Sequence, residues 1–192
     1  MTQVCLWKGI GAGFSPDPVL IDDLIGKRLR KGGHKGTRTR GKCTFASTSK
    51  NQAEDYADGP DTLMKVIPQS GAIVSWVKGE ADLIMAFEDF LRQERWGDAD
   101  WATPRGRDII FDVMGCIATF AGYVRLIARS RVLPAIVDEF VSRLCVREIA
   151  YQCSDQISAA LNEHNGEVWI TGPCQLVPAP QSGASLSLSV AA

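Results

Sequence analysis

Apolar residues fall in short runs near both ends of the chain and recur at helical spacing through its middle. Val4 to Trp7 is an apolar run closed by the glycines between Gly9 and Gly13, which predicts a strand leaving into a turn. Pro16 to Ile25 combines a Pro-Asp start with apolar positions Val19, Leu20, Leu24 and Ile25, which predicts a short helix. Gly26 to Gly41 is Gly-rich and basic and reads as an exposed loop. Lys42 to Ser47 is a second strand. Ser49 stands where an N-cap belongs, ahead of a helical face of Ala53, Tyr56 and Ala57 that ends at Asp58-Gly59-Pro60-Asp61. Two more strands, Leu63 to Ile67 and Ala72 to Val77, flank the turn residues Pro68-Gln69-Ser70-Gly71.

The pattern then changes period. Ala81 to Arg95 reads as a helix, Trp96 to Gly106 as a loop, and Arg107 to Arg129 as a long apolar helix. Gly115 and Gly122 lie on one face of that last helix, where small residues permit close packing. Pro134 is placed as an N1 residue opening another helix that runs toward His164 through Val137, Val141, Leu144, Cys145, Ile149, Ile157 and Leu161. At Asn165-Gly166 the strand pattern returns, with Glu167 to Thr171, a break at Gly172-Pro173, and Cys174 to Val177. The expected class is α+β. Residues 1–80 and 164–178 form the core, 81–163 a helical insertion, and 179–192, rich in Ser, Ala, Gly and Pro, a loosely held tail.

With 192 residues, 45% hydrophobic and 22% charged, the chain can bury a sizeable core. Met1 to Ile10 lacks a signal-peptide pattern, and the longest uncharged apolar stretch, Val113 to Val124, is shorter than the roughly 18 to 20 residues that cross a bilayer. The expectation is a soluble protein of the bacterial or host cytosol, with no membrane association. Six cysteines (5, 43, 116, 145, 153 and 174) form no Cys-x-x-Cys pair and only two histidines accompany them, so no metal site is expected. Cys116, Cys145 and Cys153 fall in helix-like stretches and read as small buried thiols, in keeping with a reducing compartment. Charge is unevenly spread. Lys27, Arg28, Arg30, Lys31, Lys35, Arg38, Arg40 and Lys42 form a basic segment without one acidic residue, leaving 13 of the 21 basic residues against all 22 acidic ones elsewhere. The segment is either a solvated loop or a surface for an anionic partner such as nucleic acid, NAD phosphates or an acidic protein face.

Two segments carry candidate chemistry. In Cys43-Thr-Phe-Ala-Ser47-Thr48-Ser49-Lys-Asn-Gln-Ala-Glu-Asp-Tyr-Ala57 a strand ends in three hydroxyl residues and a helix begins at once. Such a junction can fix a polar ligand or brace a neighbouring carboxylate, although an ordinary Ser N-cap is the plainer reading. In Glu163-His-Asn165-Gly-Glu167-Val-Trp-Ile170 the carboxylate of Glu167 opens a hydrophobic strand behind a Gly turn. A carboxylate at a strand mouth can accept from a ribose hydroxyl and stabilise positive charge on an adjacent sugar carbon, while a solvated Glu at a strand end is the common alternative.

Taken in order, these segments resemble the ADP-ribosyltransferase superfamily, in the branch with an Arg, Ser-Thr-Ser and Glu triad. The resemblance runs through Leu6-Trp7-Lys8-Gly9, Phe45-Ala46-Ser47-Thr48-Ser49 with Ala53 and Tyr56, Leu63 to Ile67, Gly71-Ala72-Ile73-Val74, Glu167-Val168-Trp169-Ile170 and Gln175-Leu176-Val177. It covers residues 4–77 and 163–178, and nothing in it corresponds to the stretch of about 81–163. It implies a split, mixed β-sheet binding NAD as substrate, with no metal. Lys8, Gly9, Ser47, Thr48 and Ser49 would hold the NAD. Ser47 would support both NAD and carboxylate, and Glu167 would stabilise an oxocarbenium-like transition state as nicotinamide leaves. Asn165 and Glu163 stand where the family chooses its acceptor. The family's first-strand Arg is Lys8 here, and Lys is a point charge that cannot fork onto a diphosphate.

The resulting expectation is a mono-ADP-ribosyltransferase that modifies a macromolecule, a protein in the leading reading, in the manner of a toxin, effector or phage-encoded modifier. One alternative is a transferase fold that has lost catalysis and acts as a binding or inhibitor protein through the basic segment or the insertion. Another is an NAD glycohydrolase, with water as acceptor.

Overall fold

The computed structural model of the chain describes residues 4–11, 16–39, 41–93 and 133–179. The expected loop 96–106, the helix 107–129 with its two glycines, Cys116 and the tail from residue 180 lie outside the described residues. Among the described residues, seven strands, β1 (Leu6–Gly9), β2 (Cys43–Ser47), β3 (Leu63–Pro68), β4 (Ile73–Val77), β5 (Val146–Ala150), β6 (Glu167–Thr171) and β7 (Cys174–Pro178), form one sheet in the order β5-β4-β6-β2-β1-β3-β7. The fold is α+β. Every neighbouring pair runs antiparallel, which corrects the expected mixed sheet. The helical connection between β1 and β2, the kind of linker that can make a parallel crossover, instead returns the chain so that β2 runs against β1. β2 pairs with β6 along its whole length, from Cys43↔Thr171 to Ser47↔Glu167. In contrast, β1 meets β2 at the single register pair Trp7↔Ser47. The sheet therefore has two ladders, β5-β4-β6-β2 and β1-β3-β7, joined at a narrow seam.

Helix α1 (Pro16–Lys31) runs further than its apolar pattern predicts. Ile25 and Leu29, four residues apart, are buried on one face, and Arg28, Arg30 and Lys31 in the last turn suit the negative end of the helix dipole. Half of the basic segment is thus helical rather than loop, with Lys27, Arg30 and Lys31 exposed. Helix α2 (Lys50–Glu54) follows β2 directly, and α3 (Leu83–Gln93) follows β4. The helix opening near Pro134 is α4 (Leu133–Arg143), and it stops well short of His164. Residues Val146–Ala150 are β5, an edge strand paired with β4 from Val77↔Val146 to Ile73↔Ala150. A short helix α5 (Ser154–Ala160) leads back to β6. Cys145 and Ile149 sit four residues apart, which satisfies a helical period as well as a strand, and the strand won because β4 offered a free edge.

Two apolar clusters sandwich the sheet. On one face Ile25, Leu29, Phe87, Ile136, Val137 and Phe140 of α1, α3 and α4 pack on Val77 and Trp169. On the other, Ile157 and Leu161 pack on Leu6, Val66, Val74, Val168 and Ile170. Trp169 faces one cluster and its neighbours Val168 and Ile170 the other, as strand alternation requires. Cys145 and Cys153 are exposed rather than buried, because β5 and the start of α5 replace the continuous helix that would have covered them. No described helix is long and apolar enough to cross a membrane.

Candidate functional site

Three adjacent strands at the centre of the sheet bring the sequence candidates together. Glu167 opens β6, and its register partner Ser47 closes β2. Ser47 is in turn the partner of Trp7 across the seam, so Lys8 and Gly9 at the end of β1 lie beside it. Lys8, Gly9, Ser47 and Glu167 all line one cleft of about 330 Å³, together with Asp22, Arg38, Gln52, Tyr56 and Asp82. That volume lies in the range of small-molecule sites.

Glu167 is held from both sides. Ahead of it, the Thr48 hydroxyl donates to His164 O at 2.9 Å and accepts from the Gly166 N–H at 2.8 Å, while the Thr48 N–H donates to Gly166 O at 2.9 Å. The Glu167 N–H donates to Ala81 O at 2.7 Å, and the His164 ring lies 2.9 Å from Glu167 O. Gly166 has φ +154° and its missing Cβ would sit 2.4 Å from Ala81, so only glycine fits there. At the carboxylate, Arg38 Nε donates to Oε1 at 3.0 Å and Nη2 to Oε2 at 2.9 Å. Arg38 also forms an ion pair with Asp22 of α1 through Nη1, and its guanidinium lies 5.0 Å from the centre of the Phe45 ring. Arg38 and Asp22 are each only 2% exposed, so this is a buried network.

Arg38 reaches the cleft because the segment after α1 is strapped to the sheet. The Lys35 and Gly36 N–H groups donate to the Glu148 carboxylate of β5 at 3.1 Å. The Thr37 N–H donates to Thr171 Oγ1 of β6 at 2.8 Å. The basic segment is therefore not a free loop at this point, and its buried Arg38 lines the cleft.

Ser47 Oγ accepts the Ser49 N–H at 2.9 Å and donates to Gln52 Oε1 at 2.6 Å. Ser49 caps α2, accepting from the Gln52 N–H at 3.4 Å. Lys8 Nζ donates to Phe45 O at 3.4 Å. Tyr56, 40% exposed, donates its hydroxyl to Asp82 Oδ2 at 3.1 Å, while Asp82 Oδ1 accepts the Ile84 and Met85 N–H groups at 2.9 Å at the start of α3. Burial first, and then the Asp82 carboxylate, push the Tyr56 phenol well above its ordinary range.

Of the candidates, Lys8, Gly9, Ser47 and Glu167 meet in the cleft. Thr48 and Ser49 are not among its lining residues: Thr48 braces the turn before Glu167 and Ser49 begins a helix. Asn165 and Glu163 are exposed and do not line it either. Sequence reading missed Arg38, Asp22, Gln52 and Asp82. No local signal marked Arg38, which stands in a run of cations whose ordinary reading is a solvated loop. Among the described residues no group of three or more His, Cys, Asp and Glu is placed to share a metal ion. Comparison with protein-family models, with curated proteins and with solved structures gives no match.

Proposed function

We propose that the cleft takes NAD as substrate and that the protein transfers ADP-ribose from it to a macromolecular acceptor, a protein in the leading case. The observation that carries this reading is the meeting of Lys8, Ser47 and Glu167, from three neighbouring strands, in one cleft. The donor set suits such a substrate. Lys8 supplies positive charge for a phosphate, Tyr56 an aromatic surface, and Glu167 a fixed carboxylate for a ribose hydroxyl and for the charge that develops on the anomeric carbon. The carboxylate stabilises the sugar cation as the bond to nicotinamide breaks with its electron pair. The acceptor then forms a bond to the same carbon and loses a proton.

Incubation with NAD carrying labelled adenylate, in the presence of cell extract, tests the reading. The expected outcome is nicotinamide release with label on a macromolecule, lost in Glu167→Gln. Label that stays in free ADP-ribose identifies a glycohydrolase instead. Absence of both products in the wild type ends the enzymatic reading.

A second reading has its own observation. The Ser47 hydroxyl is engaged by Gln52 rather than by Glu167, and β1 offers Lys8 where a forked guanidinium would grip a diphosphate. Both suit a transferase fold that has lost catalysis and acts as a binding protein. Calorimetry separates the two readings: no NAD binding at millimolar concentration, and no gain from Lys8→Arg, favours the binding protein.

A further inference from the structure

We infer that Arg38 is a positioning residue, whose guanidinium sets the plane of the Glu167 carboxylate and is not itself a phosphate ligand. The inference rests on the transferase reading of the cleft and adds to it a residue from outside the strands that carry the resemblance. An arginine has N–H donors on three nitrogens and no acceptor. Here Nε and Nη2 are committed to the two oxygens of Glu167, and Nη1 to Asp22. The guanidinium carbon lies over the Phe45 ring, 5.0 Å from its centre. Two of its five N–H groups remain, but with the side chain 2% exposed a phosphate has little of the guanidinium to reach. Phosphate contact therefore falls to Lys8 on β1.

A carboxylate has about four lone-pair positions; the fork of Arg38 occupies one on each oxygen, and the Leu83 N–H reaches a further one on Oε2 at 3.5 Å. The remaining positions keep a fixed direction, because the guanidinium is itself held by the buried Asp22 and lies over Phe45. A substrate hydroxyl then meets an acceptor whose orientation was established on folding, and orientation of this kind acts on the chemical step rather than on binding. Lysine at position 38 would keep the charge but hold one oxygen at a time, releasing the carboxylate plane.

The test combines kinetics and a resonance. Nicotinamide release from NAD is followed in wild type, Arg38→Lys, Arg38→Ala and Asp22→Asn, with circular dichroism to establish that each variant is folded. Arg38→Lys is expected to lower kcat by about ten- to a hundredfold with little change in KM for NAD. Arg38→Ala is expected to lose more and to recover in part with added methylguanidine. A raised KM with unchanged kcat would overturn the inference and make Arg38 a phosphate ligand. Independently of activity, the 15N-resolved Nε–H of Arg38 is expected to exchange slowly with water in the wild type and rapidly in Glu167→Gln. Rapid exchange in the wild type overturns the clamp itself. Slow, Glu167-dependent exchange in a protein that releases no nicotinamide overturns the transferase reading and leaves the clamp standing.

Discussion

Ser47 and Glu167 are register partners across β2 and β6, yet each side chain takes a different partner: Ser47 donates to Gln52 at 2.6 Å, and Glu167 is forked by Arg38. Ser47 also accepts the Ser49 N–H at the entrance to α2. Ser47→Ala removes both bonds and is expected to cost about 1–3 kcal/mol, the range for leaving buried polar groups unpaired. A double-mutant cycle with Gln52→Ala in urea melts should return a coupling of about 0.5–1.5 kcal/mol. Additive effects would show that the 2.6 Å contact carries no energy.

Two ion pairs should differ sharply in worth. Arg28 Nε lies 2.5 Å from Asp138 Oδ1 and ties α1 to α4, but the two side chains are 26% and 49% exposed. Asp138→Ala is expected to cost less than about 1 kcal/mol, since solvent screens the pair. Glu167→Gln keeps the buried Arg38–Asp22 pair but exchanges a charge-assisted fork for a neutral acceptor, and is expected to cost about 1.5–3 kcal/mol. Urea denaturation of both variants makes the comparison, and equal losses would contradict the burial argument.

Alkaline pH should probe Tyr56. Its pKa is raised in the folded protein, by burial first and by Asp82 second. Below about pH 10 the phenol is protonated in both folded and unfolded chains. Above that value the unfolded chain releases the proton while the folded one keeps it, so the unfolded state binds fewer protons and stability falls as pH rises. Melting curves from pH 9 to 11 should therefore decline more steeply in the wild type than in Tyr56→Phe. Asp82→Asn is expected to fall between them, because desolvation of the phenol remains.

Gly9 tests how tightly β1 abuts α2. A Cβ there would stand 2.2 Å from Ala53 O and 2.6 Å from the Tyr56 carbonyl carbon. Gly9→Ala must push backbone rather than a flexible side chain, and about 1–3 kcal/mol of destabilisation is expected from overpacking. Because Gly9, Ala53 and Tyr56 all line the cleft, the NAD affinity that the proposed function calls for, measured by calorimetry, should fall as well. A variant that melts and binds like the wild type would contradict this packing.

Much of the sheet was legible in the sequence, for a local reason. β1, β3, β4, β6 and β7 each overlap a short apolar run that meets Gly or Pro within two residues, and β2 ends in the hydroxyl run Ser47-Thr48-Ser49, so composition and period agree. β5 was not legible, since Val146, Ile149 and the cysteines around them fit a helix as well as a strand, and only the edge of β4 decides between the two. The order of Lys8, Ser47 and Glu167 along separate strands could be read before the fold was known. Arg38 could not, because its partner Glu167 is 129 residues away and no local pattern encodes that pairing. A run of like charges ordinarily means solvent. Here the hydrogen bonds from Lys35, Gly36 and Thr37 to β5 and β6 turn one member of the run inward.

The seam at Trp7↔Ser47 divides the cleft as it divides the sheet. Lys8 rides on β1, which is laddered to β3 from Gly9↔Leu63 to Leu6↔Val66, whereas Ser47 and Glu167 ride on the fully paired β2 and β6. One strand register pair, the Lys8 Nζ bond to Phe45 O and the packing of Gly9 on the backbone of Ala53 and Tyr56 are what tie the cation to the carboxylate's ladder. The carboxylate is held independently of that tie, by the Arg38 fork and by the Thr48 and Ala81 bonds around Gly166 and Glu167. On the proposed reading, gripping a guest and aligning its reacting carbon would fall to different parts of the same sheet.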